Sequence, residues 1–81
     1  MKVEFTLPAS KQMAKLPRSE QKKIGRKILL LSKSPLAGKK LDGTLTGGYS
    51  LRAWPYRILY SLEKDMILIH KIAHRQSVYK S

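Results

Sequence analysis

The C-terminal stretch KIAHRQSVYK, residues 71–80, brings a histidine, an arginine and a tyrosine together directly after an apolar run. The end of a strand is a common place for groups that contact a substrate, because the sheet fixes the backbone while the tip stays exposed. His74, Arg75 and Tyr79 are therefore candidates for a functional site. Solvated polar residues are also ordinary at such a position, so the pattern alone leaves both interpretations open.

Charge is the dominant property of the whole sequence. The 81 residues include 17 Lys or Arg and 5 Asp or Glu, which gives a formal net charge of +12. A charge of this size predicts a strongly positive surface that attracts polyanions, and nucleic acid is the leading candidate. A solvated basic surface is the alternative. No membrane partner is expected, because neither helical segment has a bulky aromatic face that would enter a lipid interface.

Metal and disulfide chemistry find little support in the composition. The sequence has no cysteine, and its two histidines have no nearby Asp or Glu with which to complete a ligand set. We therefore expect no metal or other cofactor, and a reducing cytoplasmic location. The N-terminus lacks a signal-type apolar core, and the apolar runs are shorter than the ~20 residues that span a bilayer. The length predicts a single domain, residues 1–81.

The first half of the chain reads as one strand followed by two helices. KVEFTL alternates Val3, Phe5 and Leu7 with polar residues, which predicts a half-buried strand that Pro8 ends. Apolar spacing then predicts a short helix over residues 9–16 and a longer one from residue 18 to about 33. Gly25 lies inside the second helix, where it indicates either close packing against a neighbour or an unconstrained surface position.

The second half reads as an irregular connection followed by three strands. Residues 34–48 have the Pro and Gly density of a loop, and YSLRA, YRILYSLE and MILIHKIA follow with short links between them. Short links favour an antiparallel meander. The order β-α-α-β-β-β predicts a small α+β domain in which an antiparallel sheet carries two helices packed on one face.

Strand alternation assigns the charged side chains to faces of this sheet. Arg52 and Arg57 alternate with apolar residues and should point away from the helices. The last strand is ambiguous at its start, because both sets of alternating residues are apolar. We place Lys71 and Arg75 on the outward side, since burying two cations would need acidic partners that the sequence scarcely offers. Arginines clustered on a sheet predict a phosphate site.

The sequence resembles the RelE/ParE superfamily of small toxins from toxin–antitoxin pairs. The resemblance covers nearly the whole chain. GYSLRAWPYRILYSLE is similar to the pattern Gly-Tyr-x-(Leu/Ile)-Arg-x(3)-Tyr-Arg-(Ile/Val)-x-Tyr, and IAHRQSVY is similar to a terminal Gly-His-Arg-x-x-Val-Tyr. The resemblance implies a RelE-like fold and a ribosome-dependent, metal-independent mRNA endonuclease that cleaves mRNA in the decoding site. In that reaction the 2′-hydroxyl of the RNA attacks the adjacent phosphate.

Site residues carry over from the resemblance position by position. Arg57 and Arg75 fall on the family's catalytic arginines, and Tyr79 falls on a terminal tyrosine that orients the substrate. Arg52 falls where the best-studied branch has a catalytic lysine, and Ser50 fills a second lysine position. An arginine makes a poor general base because it stays protonated.

The residue that accepts the 2′-hydroxyl proton therefore stays open, with His74 and Lys71 as candidates. His74 has a side chain suited to proton transfer near neutral pH, and Lys71 is a substitute. His74 could equally be structural. His70 falls on the apolar side of the last strand and is expected in the core. The cations expected to bind RNA are Lys71, Lys39, Lys40, Arg26 and Lys22.

The resemblance also implies partners and competing functions. A cognate RelB-like antitoxin and the ribosome, with its mRNA and rRNA, are the expected partners, and operator DNA is a candidate for the toxin–antitoxin complex. A gyrase-inhibiting toxin of the ParE type, without nuclease activity, is the principal alternative. A catalytically inactive module that binds RNA or the antitoxin is a third, and it would fit the missing lysine.

Overall fold

The computed structural model of this protein describes residues 1–40 and 48–74. The chain forms a five-stranded sheet and two helices, and the predicted α+β class is confirmed. The elements in chain order are β1 (Lys2–Phe5), α1 (Leu7–Lys15), α2 (Arg18–Lys33), β2 (Lys39–Lys40), β3 (Gly48–Ala53), β4 (Tyr56–Glu63) and β5 (Met66–His74).

The strands lie in the order β1-β5-β4-β3-β2. Strands β3, β4 and β5 form the predicted antiparallel meander, and β2 pairs antiparallel with β3. The expectation of a wholly antiparallel sheet is wrong for β1, which pairs parallel with β5. Strand β5 runs antiparallel to β4, and β1 runs in the same direction as β5. Strand β2 lies within the stretch that was predicted to be irregular.

Helix α1 begins two residues earlier than predicted. The Thr6 hydroxyl accepts a hydrogen bond from the backbone N–H of Ala9, at 3.3 Å between the two atoms, and so caps the first turn. Pro8 lies in that turn, where its missing N–H costs nothing. Leu7, which the alternation assigned to the strand, therefore starts the helix and stays 68% exposed.

Helix α2 has the predicted bounds. A Cβ atom at Gly25 would have no heavy atom within 4 Å, so the surface interpretation of this glycine is correct and the close-packing interpretation is wrong. Lys23 forms a salt bridge of 3.1 Å with Glu20 and also donates to the carbonyl of Trp54. The second contact ties α2 to the turn between β3 and β4.

The core lies between the helices and one face of the sheet. Both helices and the three meander strands contribute buried apolar side chains. Those of β3 and β4 follow the predicted alternation, whereas alternation leaves the core side of β5 open. The buried core cluster comprises Ala9, Ile24, Ile28, Leu31, Ala53, Ile58, Tyr60, Ile67, Ile69 and Ile72. We call the opposite face of the sheet, which neither helix covers, the outer face. Within the described residues, no helix is long and apolar enough to cross a membrane.

A β-bulge in β5 removes the ambiguity of that strand. Tyr60 pairs with Ile69 and Leu59 pairs with Lys71, so His70 is an extra residue without a partner in β4. Alternation shifts by one place at the bulge, and both Ile69 and Ile72 therefore face the core. The expected core position of His70 is wrong, because the bulge leaves this side chain exposed, with its Nε2 2.7 Å from the Ser61 hydroxyl.

Candidate functional site

Two rows of side chains cross the outer face from strand to strand. In the first row Arg52 of β3 lies directly opposite Arg57 of β4, and Arg57 lies opposite Ala73 of β5. Residues that pair directly across two strands point to the same face. Arg52 and Arg57 are thus brought together, on the predicted face of the sheet.

The second row runs beside the first. It joins Lys39 of β2, Ser50 of β3, Leu59 of β4 and Lys71 of β5, each paired directly with the next. Lys71 is exposed on the outer face, as predicted. The two rows together put four cations on one surface.

An open cleft of about 330 Å³ lies at the β2 and β3 side of these rows. We call it the cationic cleft. Its described lining contains three cations and no acidic residue, and consists of Ala37, Gly38, Lys39, Ser50, Leu51, Arg52 and Arg57.

The Arg52–Arg57 pair makes this cleft suited to an anion. Like charges directly opposite each other on neighbouring strands destabilise a sheet. Arg52 has no ion-pair partner among the described residues. A bound anion that accepts hydrogen bonds from both guanidinium groups would reverse the sign of the interaction, and the planar guanidinium matches the oxygens of a phosphate.

Ser50 contributes to the orientation of Arg57. Its side chain is 5% exposed, and its Oγ accepts a hydrogen bond from Arg57 Nη1 at 3.5 Å, which is the long end of the range. Because Ser50 stands between Lys39 and Leu59 in the second row, this contact joins the two rows at the floor of the cleft.

The wall of the cleft beside β2 is held by Tyr60. This side chain is 1% exposed, its hydroxyl donates to the carbonyl of Pro35 at 2.8 Å and it accepts from the N–H of Gly38 at 3.1 Å. Burial raises the pKa of the Tyr60 hydroxyl above its ordinary value of 10.0, and the N–H of Gly38 opposes that rise in part. The hydroxyl therefore stays protonated and keeps both hydrogen bonds at neutral pH.

Gly38 is required by this close approach. A Cβ atom there would lie 2.5 Å from the Tyr60 hydroxyl and 2.9 Å from the carbonyl oxygen of Ser50. Sequence reasoning missed both Gly38 and Tyr60. The glycine directly before two lysines was an available signal of a close approach, but nothing in the sequence indicates that Tyr60 reaches the loop after α2.

The two lysines of β2 fall on opposite sides. Lys39 pairs with Ser50 on the outer face and lines the cationic cleft. Lys40 pairs with Tyr49, which packs against the core, and so belongs to the side of the sheet that the helices cover. The structure thus separates Lys40 from the cleft because neighbouring residues of a strand point to opposite faces.

His74 also lies on the far side from the arginines. It pairs directly with Tyr56, and their rings meet edge to face with centroids 5.3 Å apart. Tyr56 packs against the core cluster, so both rings are on the helix side while Arg57 is on the outer face. The structure does not bring His74 together with Arg52 and Arg57, because after the bulge at His70 the alternation of β5 places residue 74 on the helix side.

Lys22 and Arg26 are exposed on α2, in the layer behind the sheet. They are not brought together with the cleft. Arg75 and Tyr79 lie outside the described residues. Within the described residues, no three His, Asp or Glu side chains are close enough to share a metal ion.

Comparison with known proteins identifies relatives of this chain. A family model described as the ParE toxin of the type II toxin–antitoxin system parDE matches residues 3–79. One solved chain, from the RelBE2 toxin–antitoxin complex of Mycobacterium tuberculosis, is 32% identical with a TM-score of 0.82, and the match covers 91% of this chain and 96% of that one.

Two further structures have the same fold. A chain of the RelB–RelE antitoxin–toxin complex from Methanococcus jannaschii is 26% identical, with a TM-score of 0.75 and 93% of each chain covered. The YoeB/ParE toxin from Agrobacterium tumefaciens is 21% identical, with a TM-score of 0.78, and the match covers 91% of this chain and 98% of that one. A search of curated protein sequences found no significant match.

Proposed function

Since this chain belongs to the ParE toxin family, within the RelE/ParE superfamily of toxins from toxin–antitoxin systems, we propose that it is a ribosome-dependent mRNA endonuclease and that the cationic cleft binds the scissile phosphate. The observation that carries the proposal is the direct pairing of Arg52 with Arg57 at a cleft that Lys39 also lines. Like charges that face each other in this way destabilise the sheet, and an anion bound between them would offset that cost.

The reaction begins when the 2′-hydroxyl oxygen of the RNA attacks the adjacent phosphorus. A bond forms between that oxygen and phosphorus, the bond from phosphorus to the 5′-oxygen of the next nucleotide breaks, and a 2′,3′-cyclic phosphate remains. Negative charge grows on the non-bridging oxygens as the new bond forms. Arg52 and Arg57 donate hydrogen bonds to those oxygens, and donors preorganised in this way stabilise the transition state more than the ground state.

Proton transfer needs other groups, because a guanidinium neither takes up nor releases a proton at physiological pH. His74 faces Tyr56 on the helix side, and we assign it a structural role. Arg75 and Tyr79 keep the roles that the family resemblance implies, charge neutralisation and orientation of the nucleotide, as part of this proposal.

The ribosome supplies what the small cleft lacks. A shallow, open site on the surface of an 81-residue domain can hold a phosphate, but it encloses little of an RNA chain. Holding the 2′-hydroxyl in line with the breaking bond can contribute roughly 7–11 kcal/mol of the barrier. We therefore expect efficient cleavage of mRNA in the decoding site and poor cleavage of naked RNA.

An acidic antitoxin is the proposed protein partner. The net charge of +12 favours a partner that neutralises it, and the solved relatives from Mycobacterium tuberculosis and Methanococcus jannaschii are toxin–antitoxin complexes. A RelB-like antitoxin that covers the cationic cleft would block access of the phosphate. The complex of toxin and antitoxin is then the species to test for operator DNA binding.

The decisive experiment is primer extension on a translated message after induction of the chain. Cuts at codon-phased positions are expected from the wild type. Arg57→Ala should cut roughly 10²- to 10³-fold more slowly, as is typical when one preorganised donor is lost. Lys64→Ala removes the same charge from the exposed turn at the other end of β4 and should cut at the wild-type rate. Wild-type cleavage by Arg57→Ala would refute the proposed role of the cleft.

Gyrase inhibition is the second candidate, because the matching family model is described as a ParE toxin. A gyrase-directed toxin would leave the message intact and cause DNA cleavage by gyrase. Incubating the purified chain with gyrase and supercoiled plasmid tests this directly. Linearised plasmid together with uncut mRNA would replace the nuclease proposal with this one.

A further inference from the structure

We propose that Lys39 is the general acid of this reaction, and that its ammonium group gives a proton to the departing 5′-oxygen. The inference rests on the proposed function, since it assigns a step of that reaction. It adds a role for a residue of β2, a strand that comes before the motif from which the arginines were identified.

The chemistry requires such a donor. The 5′-oxygen leaves as an alkoxide unless it is protonated, and an alkoxide is a poor leaving group at neutral pH. A guanidinium is a poor proton donor, so Arg52 and Arg57 do not suit this role. Among the other described residues that line the cationic cleft, Ser50 is buried and accepts a hydrogen bond from Arg57. Lys39 is the remaining polar side chain of that lining, and an ammonium can release a proton.

The position of Lys39 suits the role. It pairs directly with Ser50, one row away from the Arg52–Arg57 pair, so a phosphate held by the arginines lies beside it. Its side chain is exposed at the mouth of the cleft, and no carboxylate of the described residues forms a salt bridge with it. The ammonium is therefore available to a substrate.

Tyr60 is the positioning residue for this lysine. Its hydroxyl forms hydrogen bonds with the backbone of Pro35 and of Gly38, and Gly38 is the residue directly before Lys39. The backbone at the start of β2 is thus fixed from inside the core rather than by the short strand alone. A fixed backbone reduces the number of positions that the flexible lysine side chain can adopt over the cleft.

The proton balance is complete. The 2′-hydroxyl proton passes to solvent water as the bond from the 2′-oxygen to phosphorus forms. The Lys39 ammonium protonates the 5′-oxygen as the bond from phosphorus to that oxygen breaks. The neutral amine that results regains a proton from solvent before the next cycle.

A sulfur leaving group tests the assignment. Messages are made with either the natural 5′-oxygen or a bridging 5′-sulfur at one codon, and single-turnover cleavage is measured on the ribosome. A thiolate leaves without protonation, so it does not need the acid. The cleavage rate of Lys39→Gln should be roughly 10²- to 10⁴-fold lower than that of the wild type with the oxygen substrate. With the sulfur substrate the two rates should agree within a few-fold.

Two further variants separate proton donation from charge. Lys39→Arg keeps the charge, but a guanidinium does not release its proton. This variant should therefore cleave the oxygen substrate slowly and the sulfur substrate at nearly the wild-type rate, as Lys39→Gln does. Tyr60→Phe should lower the cleavage rate of the oxygen substrate by a smaller factor. The sulfur substrate should restore that rate too, which would not happen if Tyr60 had a purely structural role. Lys64→Gln, in the exposed turn between β4 and β5, should match the wild type on both substrates.

The outcomes are distinct. Equal losses on oxygen and sulfur, or full activity of Lys39→Arg, would show that Lys39 acts through its charge and would overturn the proposal. Wild-type cleavage of the oxygen substrate by Lys39→Gln would overturn it as well. If the wild-type protein cleaves neither message, the proposed function itself fails, which is a different result from the failure of Lys39 alone.

Discussion

The hydroxyl of Tyr60 is a polar group inside the core, and the loop after α2 depends on it. Its ring stacks on that of Tyr49 with centroids 5.4 Å apart, while its hydroxyl forms hydrogen bonds with Pro35 and Gly38 in the segment between α2 and β2. Buried polar groups cost free energy when they lose their partners. Both the stability of the domain and the shape of the cleft therefore depend on Tyr60.

Tyr60→Phe should lower the free energy of unfolding by about 1–3 kcal/mol, because it leaves the part-buried carbonyl of Pro35 and N–H of Gly38 without their partner. Urea denaturation followed by circular dichroism measures the change. Tyr49→Phe is the matched control, since the Tyr49 hydroxyl has no hydrogen bond among the described residues, and it should alter stability by less than about 0.5 kcal/mol. Equal effects of the two substitutions would contradict the anchoring role.

Alkaline pH should destabilise the protein through the same residue. The unfolded chain releases the tyrosine proton near the ordinary value of 10.0, whereas burial raises the pKa in the folded state, so the folded protein holds the proton longer. Deprotonation therefore favours unfolding as pH rises above about 10. Urea midpoints measured from pH 8 to 11 should fall more steeply in the wild type than in Tyr60→Phe. Parallel curves would exclude this linkage.

At the scale of the elements, α2 and the loop that follows it contain two glycines with opposite surroundings. Gly25 lies on an open part of the helix surface, and Gly38 lies against the Tyr60 hydroxyl and the backbone of Ser50. Glycine in the interior of a helix costs roughly 0.5–1 kcal/mol relative to alanine. No contact requires this cost at Gly25, whereas the close approach of Tyr60 and Ser50 leaves no room for a side chain at Gly38.

Gly25→Ala should raise the free energy of unfolding by about 0.5–1 kcal/mol, because alanine restricts the unfolded chain and meets no atom in the folded one. Gly38→Ala should lower it, because the new Cβ would displace Tyr60 or the β2 and β3 pairing. Thermal and urea unfolding of the two variants make a matched pair. A loss of stability in Gly25→Ala would indicate a neighbour that packs on this part of α2.

At the scale of the whole molecule, charge is abundant on both layers, but its arrangement differs. Lys22 and Arg26 stand exposed along α2, while the outer face gathers Lys39, Arg52 and Arg57 around one cleft. General attraction to a polyanion can come from either layer. Contact with one particular phosphate is proposed for the outer face alone.

Binding to a short single-stranded RNA should weaken steeply with salt, because each phosphate contact releases a counterion. Arg52→Ala should reduce the slope of log K against log salt by about 0.7 if the residue contacts one phosphate. Fluorescence anisotropy from 50 to 300 mM salt measures the slope, with Lys64→Ala as the control of equal charge. A slope that both variants leave unchanged would place the RNA on another surface.

The sequence by itself determined the two helices, the four longer strands and the superfamily, but not the short strand β2. Apolar periodicity places α2 and β4 at their observed bounds, because each has one uninterrupted apolar face and a turn signal at both ends. Alternation in β3 and β4 is equally regular, so the outward position of Arg52 and Arg57 follows from it without any tertiary information. The motifs around these residues and near the C-terminus were enough to identify the superfamily that the comparisons then showed.

Only the tertiary structure decided which residues share the cleft. The bulge at His70 keeps Ile72 in the core and leaves His74 facing Tyr56, and a one-residue shift of this kind has no marker in a strand that is apolar on both sides. The choice between Lys39 and Lys40 depends on the register of β2 against β3. The residue directly before β2, Gly38, is held by a hydrogen bond to Tyr60, and no local pattern can encode this contact between residues 22 positions apart in the chain.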